Sequence, residues 1–339
     1  MSSVVSNTAS KRLMTKGPSK YRRAMNYLAE HQIDFPFKVV AFIVAGAVLR
    51  VPQFWRFIFI SYEQPGTGLY GKGPADVMLL FFWINLFTML RAGTMSHVLM
   101  PLARFGGIQS TRKLVRFTEQ GWTVIYYGNS WFVGMYLCYN SSYWFNTSEF
   151  WIGYPHIYLA PLFKYYYLIQ FAYWLQQIFV LQIEKPRKDY RELVAHHINT
   201  LLLICGSYVC NYTRIGNAIF VCMDLPDVLL ALAKCLNYLN FRILCDSLFV
   251  VLIAAWTYTR VYLYGCIIWS TWSEPDLYVE FVFDPMNGQF FPYFAKYIII
   301  GLEVSLFFLI LFWTALMYRV LFRVLMGTSA SDSRSDDEE

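Results

Sequence analysis

Long apolar segments, separated by short polar stretches, recur along the whole chain. Each is about 20 residues long or longer, which is the length that an α-helix needs to cross the hydrocarbon core of a bilayer. Eight segments meet this condition, at residues 35–60, 76–101, 121–140, 156–182, 192–212, 214–238, 243–270 and 296–322. The pattern predicts an all-α polytopic membrane protein with about eight transmembrane helices.

The first apolar segment is the weakest of the eight, because Arg50, Pro52 and Arg56 interrupt it. Two interpretations stay open at this stage. Either residues 35–60 form one span, or a shorter span is followed by an interfacial helix from Phe54 to Tyr62.

Composition supports the membrane assignment and excludes several other classes. Of 339 residues, 57% are hydrophobic and 15% are charged, whereas about 25% of residues in soluble domains are charged. The net charge of +6 comes without a nucleic-acid-binding motif, so we expect no nucleic-acid partner. The seven cysteines have no CxxC spacing, which argues against a disulfide framework or a zinc site.

Lys and Arg collect on alternate sides of the predicted spans. The basic segments are the N-terminal tail, residues 102–120, residues 183–191 and the end of the last span, whereas residues 140–155 hold no Lys or Arg and residues 271–295 are acidic. Because basic loops stay in the cytosol, both termini are predicted to be cytosolic. The sequons at Asn140 and Asn146 would then face the lumen, where glycosylation can occur.

The chain divides into four parts on these patterns. They are a basic cytosolic tail (1–34), a first span with its lumenal connection (35–75), a membrane domain (76–325) and an acidic, Ser-rich tail (326–339). The last part is predicted to be disordered. Its Ser329, Ser333 and Ser335 each precede an acid by three residues, so they are candidates for an acid-directed kinase, although a purely solubilising tail explains them equally well.

Ionisable residues within the spans concentrate in one helical hairpin, at residues 187–238. His196, Thr200, Ser207, Asn211 and Arg214 form one polar stripe at 100° per residue, and a second stripe on the next helix consists of Asn217, Asp224, Asp227, Lys234 and Tyr238. Charged groups inside a membrane are costly and mark functional sites. We expect the two stripes to face each other or a shared cavity.

A histidine and a carboxylate are predicted at similar depth in this hairpin. With a turn near residues 212–214, His197 and Asp227 lie about 24 Å and 21 Å below it, at about 1.5 Å per residue. Paired with the carboxylate, the histidine would be a competent general base or nucleophile. Interhelical hydrogen bonding is the alternative role. A metal site of two His and two Asp is disfavoured, because no HxxxH or ExxH pattern is present, so we expect no metal.

The motifs of this region resemble a known family. Residues 184–238 include His196-His197, Asn211-Tyr212-Thr213-Arg214 and Asp224-Leu225-Pro226-Asp227, which look like the Lag motif of the longevity-assurance ceramide synthases. That family has the TLC-type membrane fold, a helical barrel or bundle. The resemblance extends over residues 76–325, and the lack of a homeobox-like segment between the first two spans favours the fungal-like branch.

The resemblance implies N-acylation of a sphingoid long-chain base by a fatty acyl-CoA at the endoplasmic reticulum, giving dihydroceramide or phytoceramide. Acyl-CoA is then a substrate, and no cofactor is expected. A small single-span regulatory subunit is the implied partner, and homodimer formation stays open. The alternative is a non-catalytic TLC-type lipid-binding or transport protein that uses the same polar stripes.

The resemblance also assigns residues to roles. His196, His197, Asp224 and Asp227 are the implied catalytic residues; Ser207, Asn211, Arg214, Lys234 and Tyr238 are the candidate substrate-binding residues. Four basic residues at the predicted cytosolic mouth are candidates to hold the CoA phosphates, although the positive-inside bias alone accounts for them: Lys185, Arg187, Lys188 and Arg191.

The expected chemistry requires a base more than an acid. The amine must lose a proton to attack, whereas the CoA thiolate leaves readily because its thiol is about as acidic as that of Cys. A histidine either takes the amine proton directly or first accepts the acyl group as an acyl-imidazole. Of the two histidines, His196 is the preferred candidate.

Overall fold

The computed structural model describes residues 20–184 and 188–326. Three sets of predictions fall outside them: the first 19 residues of the basic tail, the CoA-phosphate candidates Lys185 and Arg187, and the acidic tail with its three serines. All statements below concern the described residues.

The described chain is mostly helical, as the sequence predicts. Its helices are α1 (Lys20–Glu30), α2 (Asp34–Val48), α3 (Pro52–Ile58), α4 (Asp76–Thr94), α5 (Met100–Phe105), α6 (Thr111–Tyr139), α7 (Pro161–Ile183), α8 (Tyr190–Val209), α9 (Thr213–Tyr238), α10 (Arg242–Trp256), α11 (Tyr264–Ser273), α12 (Pro275–Tyr278) and α13 (Tyr293–Leu325). Two short antiparallel strands, β1 (Phe283–Asp284) and β2 (Gln289–Phe290), form a small hairpin. Short 3₁₀ turns cover Thr147–Phe150 and Pro285–Asn287.

Three continuous helical stretches are long and apolar enough to cross a bilayer by length and composition alone: Asp76–Phe105, Arg242–Ser273 and Tyr293–Arg323. They match three of the eight predicted spans. Helices α6 to α9 also have spanning lengths, but they carry more polar residues, which lie inside the bundle. The count of eight spans and the cytosolic placement of the termini therefore stay predictions.

The first apolar segment does not form one continuous helix. Helix α2 ends at Val48, Arg50 takes a left-handed φ of 59°, and Pro52 begins α3. Proline removes a backbone donor and clashes with a preceding helical turn, so the helix restarts there. A single span over 35–60 is therefore wrong, and the shorter first helix is what forms.

Helix α1 lies in the segment that the sequence analysis assigned to a tail. It contacts α7, and Gln32, just after it, accepts a hydrogen bond of 3.3 Å from Arg91. The chain is thus already attached to the bundle before the first apolar helix begins.

Helix α9 occupies the centre of the bundle, where it packs against α6, α8, α10 and α11. Gly216 of α9 faces the Tyr167 hydroxyl of α7 so closely that a Cβ atom would collide with it. Small residues at such crossings let membrane helices approach each other. The approach brings the polar residues of α9 within reach of those on α7.

The end of the bundle at the α8–α9 turn is capped by loops. Asn211 makes the turn with a φ of 67° and donates a 2.8 Å hydrogen bond to the Gly288 carbonyl beside β2. Trp151 and Phe291, both fully buried, pack in an aromatic cluster with Tyr212. We call this the capped end; the other is the open end.

Two π-helical segments interrupt the long helices, at Met95–Leu99 between α4 and α5 and at Thr257–Leu263 between α10 and α11. Such bulges are rare and occur frequently at functional sites. The second one bears directly on the site described next.

Candidate active site

Two cavities meet inside the bundle. The first, which we call the vestibule, has a volume of about 1220 Å³ and a mixed polar and apolar lining, and it extends toward the open end. The second, which we call the chamber, has a volume of about 800 Å³ and a mainly apolar lining, and it extends toward the capped end. Five residues line both cavities, and we call them the junction: Trp174, His196, Met223, Asp227 and Arg260.

His196 lies at the junction and is enclosed by rings. Its imidazole is 5.5 Å from Trp174, 5.6 Å from His197 and 5.4 Å from Trp313, measured between ring centroids. Its buried Nδ1 has no hydrogen-bond partner among the described residues. The ring is therefore held by packing, with a nitrogen available for chemistry.

His197 differs from its neighbour in both position and bonding. It lines the vestibule but not the chamber. Its Nδ1 lies 2.8 Å from the Leu193 carbonyl oxygen. Because a carbonyl only accepts, Nδ1 carries the proton in this geometry, which places the ring's lone pair on Nε2.

Asp224 is buried among neutral donors. Its Oδ2 accepts hydrogen bonds from Ser130 of α6 (2.8 Å) and from Gln170 of α7 (2.9 Å). The amide oxygen of Gln170 in turn accepts from the hydroxyl of Tyr126 (2.7 Å). A polar chain therefore crosses three helices and ends at a carboxylate that lines the chamber.

Asp227 pairs with a cation rather than with a histidine. Its carboxylate lies 2.8 Å from Arg260, whose guanidinium also donates to the Met223 carbonyl at 2.5 Å and stacks 4.1 Å from the Trp256 ring centre. Arg260 belongs to the π-helical segment Thr257–Leu263. Arg260 therefore belongs to the candidate site although it lies outside the predicted hairpin.

The predicted imidazole–carboxylate pair is not formed at His196. His197 and Asp227, which were predicted to lie at similar depth, line the same vestibule. The acids, however, are engaged elsewhere, Asp224 by Ser130 and Gln170 and Asp227 by Arg260. The hairpin pattern could not reveal these partners, because they come from α6, α7 and the π segment.

The five candidate substrate-binding residues separate into four locations. Ser207 lines the chamber and hydrogen-bonds the Tyr167 hydroxyl, and Lys234 lines the vestibule. Tyr238 lines neither cavity and packs at the open end against the cluster around Phe117.

Asn211 and Arg214 line neither cavity and lie at the capped end, away from the histidines, so a substrate-binding role for them stays a prediction. Asn211 accepts a 2.7 Å hydrogen bond from Lys72. Arg214 donates to the Glu149 carbonyl at 2.5 Å and lies 3.6 Å from its carboxylate. A stripe at 100° per residue predicts a shared face, but residues 15 positions apart on that face are about 22 Å apart along the axis.

The predicted CoA-phosphate residues lie at the mouth of the vestibule as far as they are described. Lys188 and Arg191 are exposed, next to Asp189 and Leu193, which line the vestibule. Farther in, Arg91 forms an ion pair with Glu184. The vestibule therefore carries charges of both signs.

Arg260, Gln170, Trp174 and Glu303 are the site residues that the hairpin pattern missed. Arg260 and Glu303 were visible as isolated charges within apolar spans, which is itself a functional signal. Gln170 and Trp174 share one face of α7 at i and i+4 spacing, but nothing in the pattern of α7 distinguished that face.

The chain is similar to known proteins over most of its length. Residues 116–319 match the model of the TRAM, LAG1 and CLN8 family, described as the TLC domain. The chain is 42% identical over 331 residues to the sphingosine N-acyltransferase lag1 of Schizosaccharomyces pombe, covering 96% of this chain and 84% of that protein. It belongs to the ceramide synthase family of TLC-domain membrane enzymes.

Other relatives in this family include further fungal proteins. The ceramide synthase LAG1 of Saccharomyces cerevisiae is 36% identical over 324 residues, with 93% of this chain and 78% of that protein covered. The ceramide synthase FUM18 of Gibberella moniliformis is 34% identical over 330 residues, covering 87% and 77% respectively. The TLC match contains His196, both acids and Arg260, so the whole junction lies within the family domain.

Proposed function

We propose that this protein is a sphingoid base N-acyltransferase that transfers a fatty acyl group from acyl-CoA to sphinganine or phytosphingosine. The observation that carries the proposal is the junction itself, where His196 lies between a vestibule of mixed polar and apolar lining and a mainly apolar chamber. A thioester with a charged carrier and a hydrocarbon tail fits such a pair of cavities, with its reacting carbonyl between them.

The vestibule suits the CoA portion. Lys234 and Arg91 line it, and exposed Lys188 and Arg191 lie at its mouth. Ammonium and guanidinium groups are the usual partners of phosphates. The chamber, with its mainly apolar lining, suits the fatty acyl tail.

His196 is proposed as the group that handles the acyl carbon or the amine proton. It lines both cavities, whereas His197 lines only the vestibule. In one route an imidazole nitrogen attacks the thioester carbonyl, the CoA thiolate leaves, and the amine then displaces the imidazole. In the other the imidazole accepts the amine proton while the amine attacks the thioester directly. The product amide is the same.

Asp224, Asp227 and Arg260 are proposed to set the charge around that step. The Arg260 guanidinium, fixed by Asp227 and the Met223 carbonyl, supplies a positive charge at the junction, where negative charge develops on the carbonyl oxygen. Asp224 supplies a carboxylate on the chamber side. Neither acid needs to contact His196 for these roles.

The setting of the reaction is part of the proposal. The enzyme is placed in the endoplasmic reticulum membrane with the vestibule open to the cytosol, where acyl-CoA is available. A small single-span regulatory subunit and a homodimer are the proposed assemblies, carried over from the family resemblance.

The test is product formation by the full chain in lipid nanodiscs, with and without a candidate single-span subunit, detected by mass spectrometry. N-acyl product that requires both a long-chain acyl-CoA and sphinganine is expected. The deaminated diol of the same chain length serves as the matched negative substrate. If the folded chain forms no product with or without the subunit, the acyltransferase assignment is wrong.

A further inference from the structure

Glu303 is a buried carboxyl group that the proposed reaction does not yet use. Its side chain lies on α13, is 0% exposed and lines the chamber. Its Oε1 accepts a single hydrogen bond of 3.2 Å from Thr271, and its Oε2 has no partner among the described residues. An unpaired acid in an apolar membrane interior is costly, so this position calls for a ligand.

The depth of Glu303 can be read from the pairing of α8 with α13. Asn199 donates to the Leu302 carbonyl at 2.9 Å, and Trp313 donates to Asp189 at 3.0 Å. The two helices are therefore antiparallel, and Glu303 lies level with Asn199. His196 is three residues away on α8, which is about 4.5 Å along the axis, so Glu303 is within about one turn of the histidine.

Acidic groups outnumber basic groups in the chamber lining. Three carboxyl groups line it, from Asp224, Asp227 and Glu303, against one guanidinium, that of Arg260. Arg260 is already paired with Asp227. Asp224 receives two neutral donors and Glu303 receives one, so neither of these two carboxyl groups has a basic partner among the described residues.

We propose that Glu303 binds the amino group of the long-chain base and holds it beside His196. The inference rests on the proposed function and names the acceptor subsite of the same reaction. A long-chain alkylammonium supplies the missing cation and the missing hydrogen-bond donors at once. A neutral lipid of the same length supplies no charge, so the subsite discriminates amine from alcohol.

The variants separate substrate binding from folding. Glu303→Gln keeps the shape and removes the charge; Glu303→Asp keeps the charge; Thr271→Ala removes the one hydrogen bond but leaves the carboxylate. Because Glu303 is unpaired, Glu303→Gln is expected to fold with at least wild-type thermal stability, whereas a structural carboxylate would lose stability on neutralisation.

The first measurement is steady-state kinetics of the full chain in nanodiscs, with sphinganine and acyl-CoA varied separately. Glu303→Gln is expected to raise the KM for sphinganine about tenfold or more, as for the loss of one charge-assisted contact, with the KM for acyl-CoA unchanged. Thr271→Ala is expected to keep the wild-type KM for sphinganine. Unchanged KM values in a folded, active Glu303→Gln enzyme would overturn the subsite and leave the acyltransferase assignment intact.

The second measurement is binding, which does not depend on turnover. Displacement of labelled sphinganine by octadecylamine and by octadecanol is compared in wild type and Glu303→Gln. The wild type is expected to prefer the amine, and the variant to lose that preference. If wild type and Glu303→Gln showed the same preference for octadecylamine over octadecanol, the subsite would be rejected. This result does not need turnover, so it can be distinguished from a failure of the proposed acyltransferase function.

Discussion

At the scale of single residues, the site is distinguished by side chains that have one polar atom engaged in packing or hydrogen bonds and another polar atom left without a partner. Both donors to Asp224, Ser130 and Gln170, bond to the same oxygen, Oδ2, so Oδ1 carries neither bond. His196 has a buried Nδ1 without a partner. Both of these proposed catalytic groups thus have a polar atom without these bonds, an arrangement that costs stability and is typical of functional sites.

Asp224→Asn tests the charge of this residue without removing its hydrogen bonds. The amide oxygen can take the place of Oδ2 and keep both donors, so the free energy of unfolding should stay within about 1 kcal/mol of wild type. Turnover is expected to fall by about tenfold or more, because the negative charge on the chamber side is lost. Thermal unfolding and acyl-transfer rate are measured on the same preparation.

Ser130→Ala is the matched control for that substitution. It removes one neutral donor but retains the carboxylate, and it should cost about 0.5–1.5 kcal/mol of stability while retaining most of the turnover. If Asp224→Asn proved as active as Ser130→Ala, the charge of Asp224 would play no part in the reaction.

Lys72, in the loop before α4, predicts a pH dependence of stability. Burial lowers its pKa from 10.5 to about 7, and its Nζ donates to Asn211 at the α8–α9 turn. Because the folded-state pKa is the lower one, the unfolded chain binds the proton more tightly between pH 7 and 10.5. This contribution to stability is therefore fully present above about pH 10.5 and is lost as the pH falls toward 7.

Thermal unfolding of wild type and Lys72→Met is followed between about pH 7 and pH 10.5. The comparison isolates the contribution of Lys72 to stability. The stability difference, wild type minus variant, should increase as the pH is raised. A difference that is constant with pH would show that Lys72 has an ordinary pKa in the folded protein.

At the scale of elements, the interrupted helix before α11 decides the position of Arg260. The π-helical segment Thr257–Leu263 joins α10 to α11 and brings Arg260 against both Asp227 and the Met223 carbonyl. Apolar periodicity predicted the span at 243–270 but not the interruption within it, since a π bulge changes the register without changing the composition. The same limit explains why the partners of Asp224, on α6 and α7, were not predicted.

Deleting Tyr258 tests the role of the bulge. Without one residue the segment can close into a regular α-helix, and Arg260 turns by about 100° relative to α10. We expect the Arg260–Asp227 pair to break and turnover to drop by about a hundredfold, as when a positioned charge in an active site is lost. Rate and thermal stability are compared with those of Tyr258→Ala, which keeps the chain length at this half-exposed position.

Near wild-type turnover in the deletion would show that the π segment does not position the guanidinium. Loss of turnover in Tyr258→Ala as well would assign the effect to the side chain rather than to the register.

At the scale of the whole molecule, the sequence predicted the class of fold and the region of the site. Apolar length predicted most of the long helices, and the turn between α8 and α9 falls within two residues of its predicted place. The stripes of the hairpin predicted His196, Asp224 and Asp227 in one region, and all three line the chamber. Asn211 and Arg214 lie beside that turn and line neither cavity, because a shared helical face alone does not bring residues at opposite ends of a helix to one site.

At this scale we predict how the molecule is oriented across the membrane. Basic loops place both termini and the vestibule in the cytosol, so protease added to sealed microsomes should digest an epitope tag at either terminus. The Asn146 sequon lies beside the 3₁₀ turn at Thr147–Phe150 at the capped end. It should stay protected from the protease, because the capped end is predicted to face the lumen. Protection of one tag would mean an odd number of spans, and protection of both tags would mean the opposite orientation.

The central claim is that acyl transfer occurs at His196, where the vestibule meets the chamber. The most direct test is the initial rate of N-acylsphinganine formation by wild type, His196→Ala and His97→Ala in the same nanodiscs. His97 lies in the other π-helical segment, away from both cavities. We expect a loss of about a hundredfold or more in His196→Ala and a near wild-type rate in His97→Ala. A folded His196→Ala enzyme with an unchanged rate would contradict it.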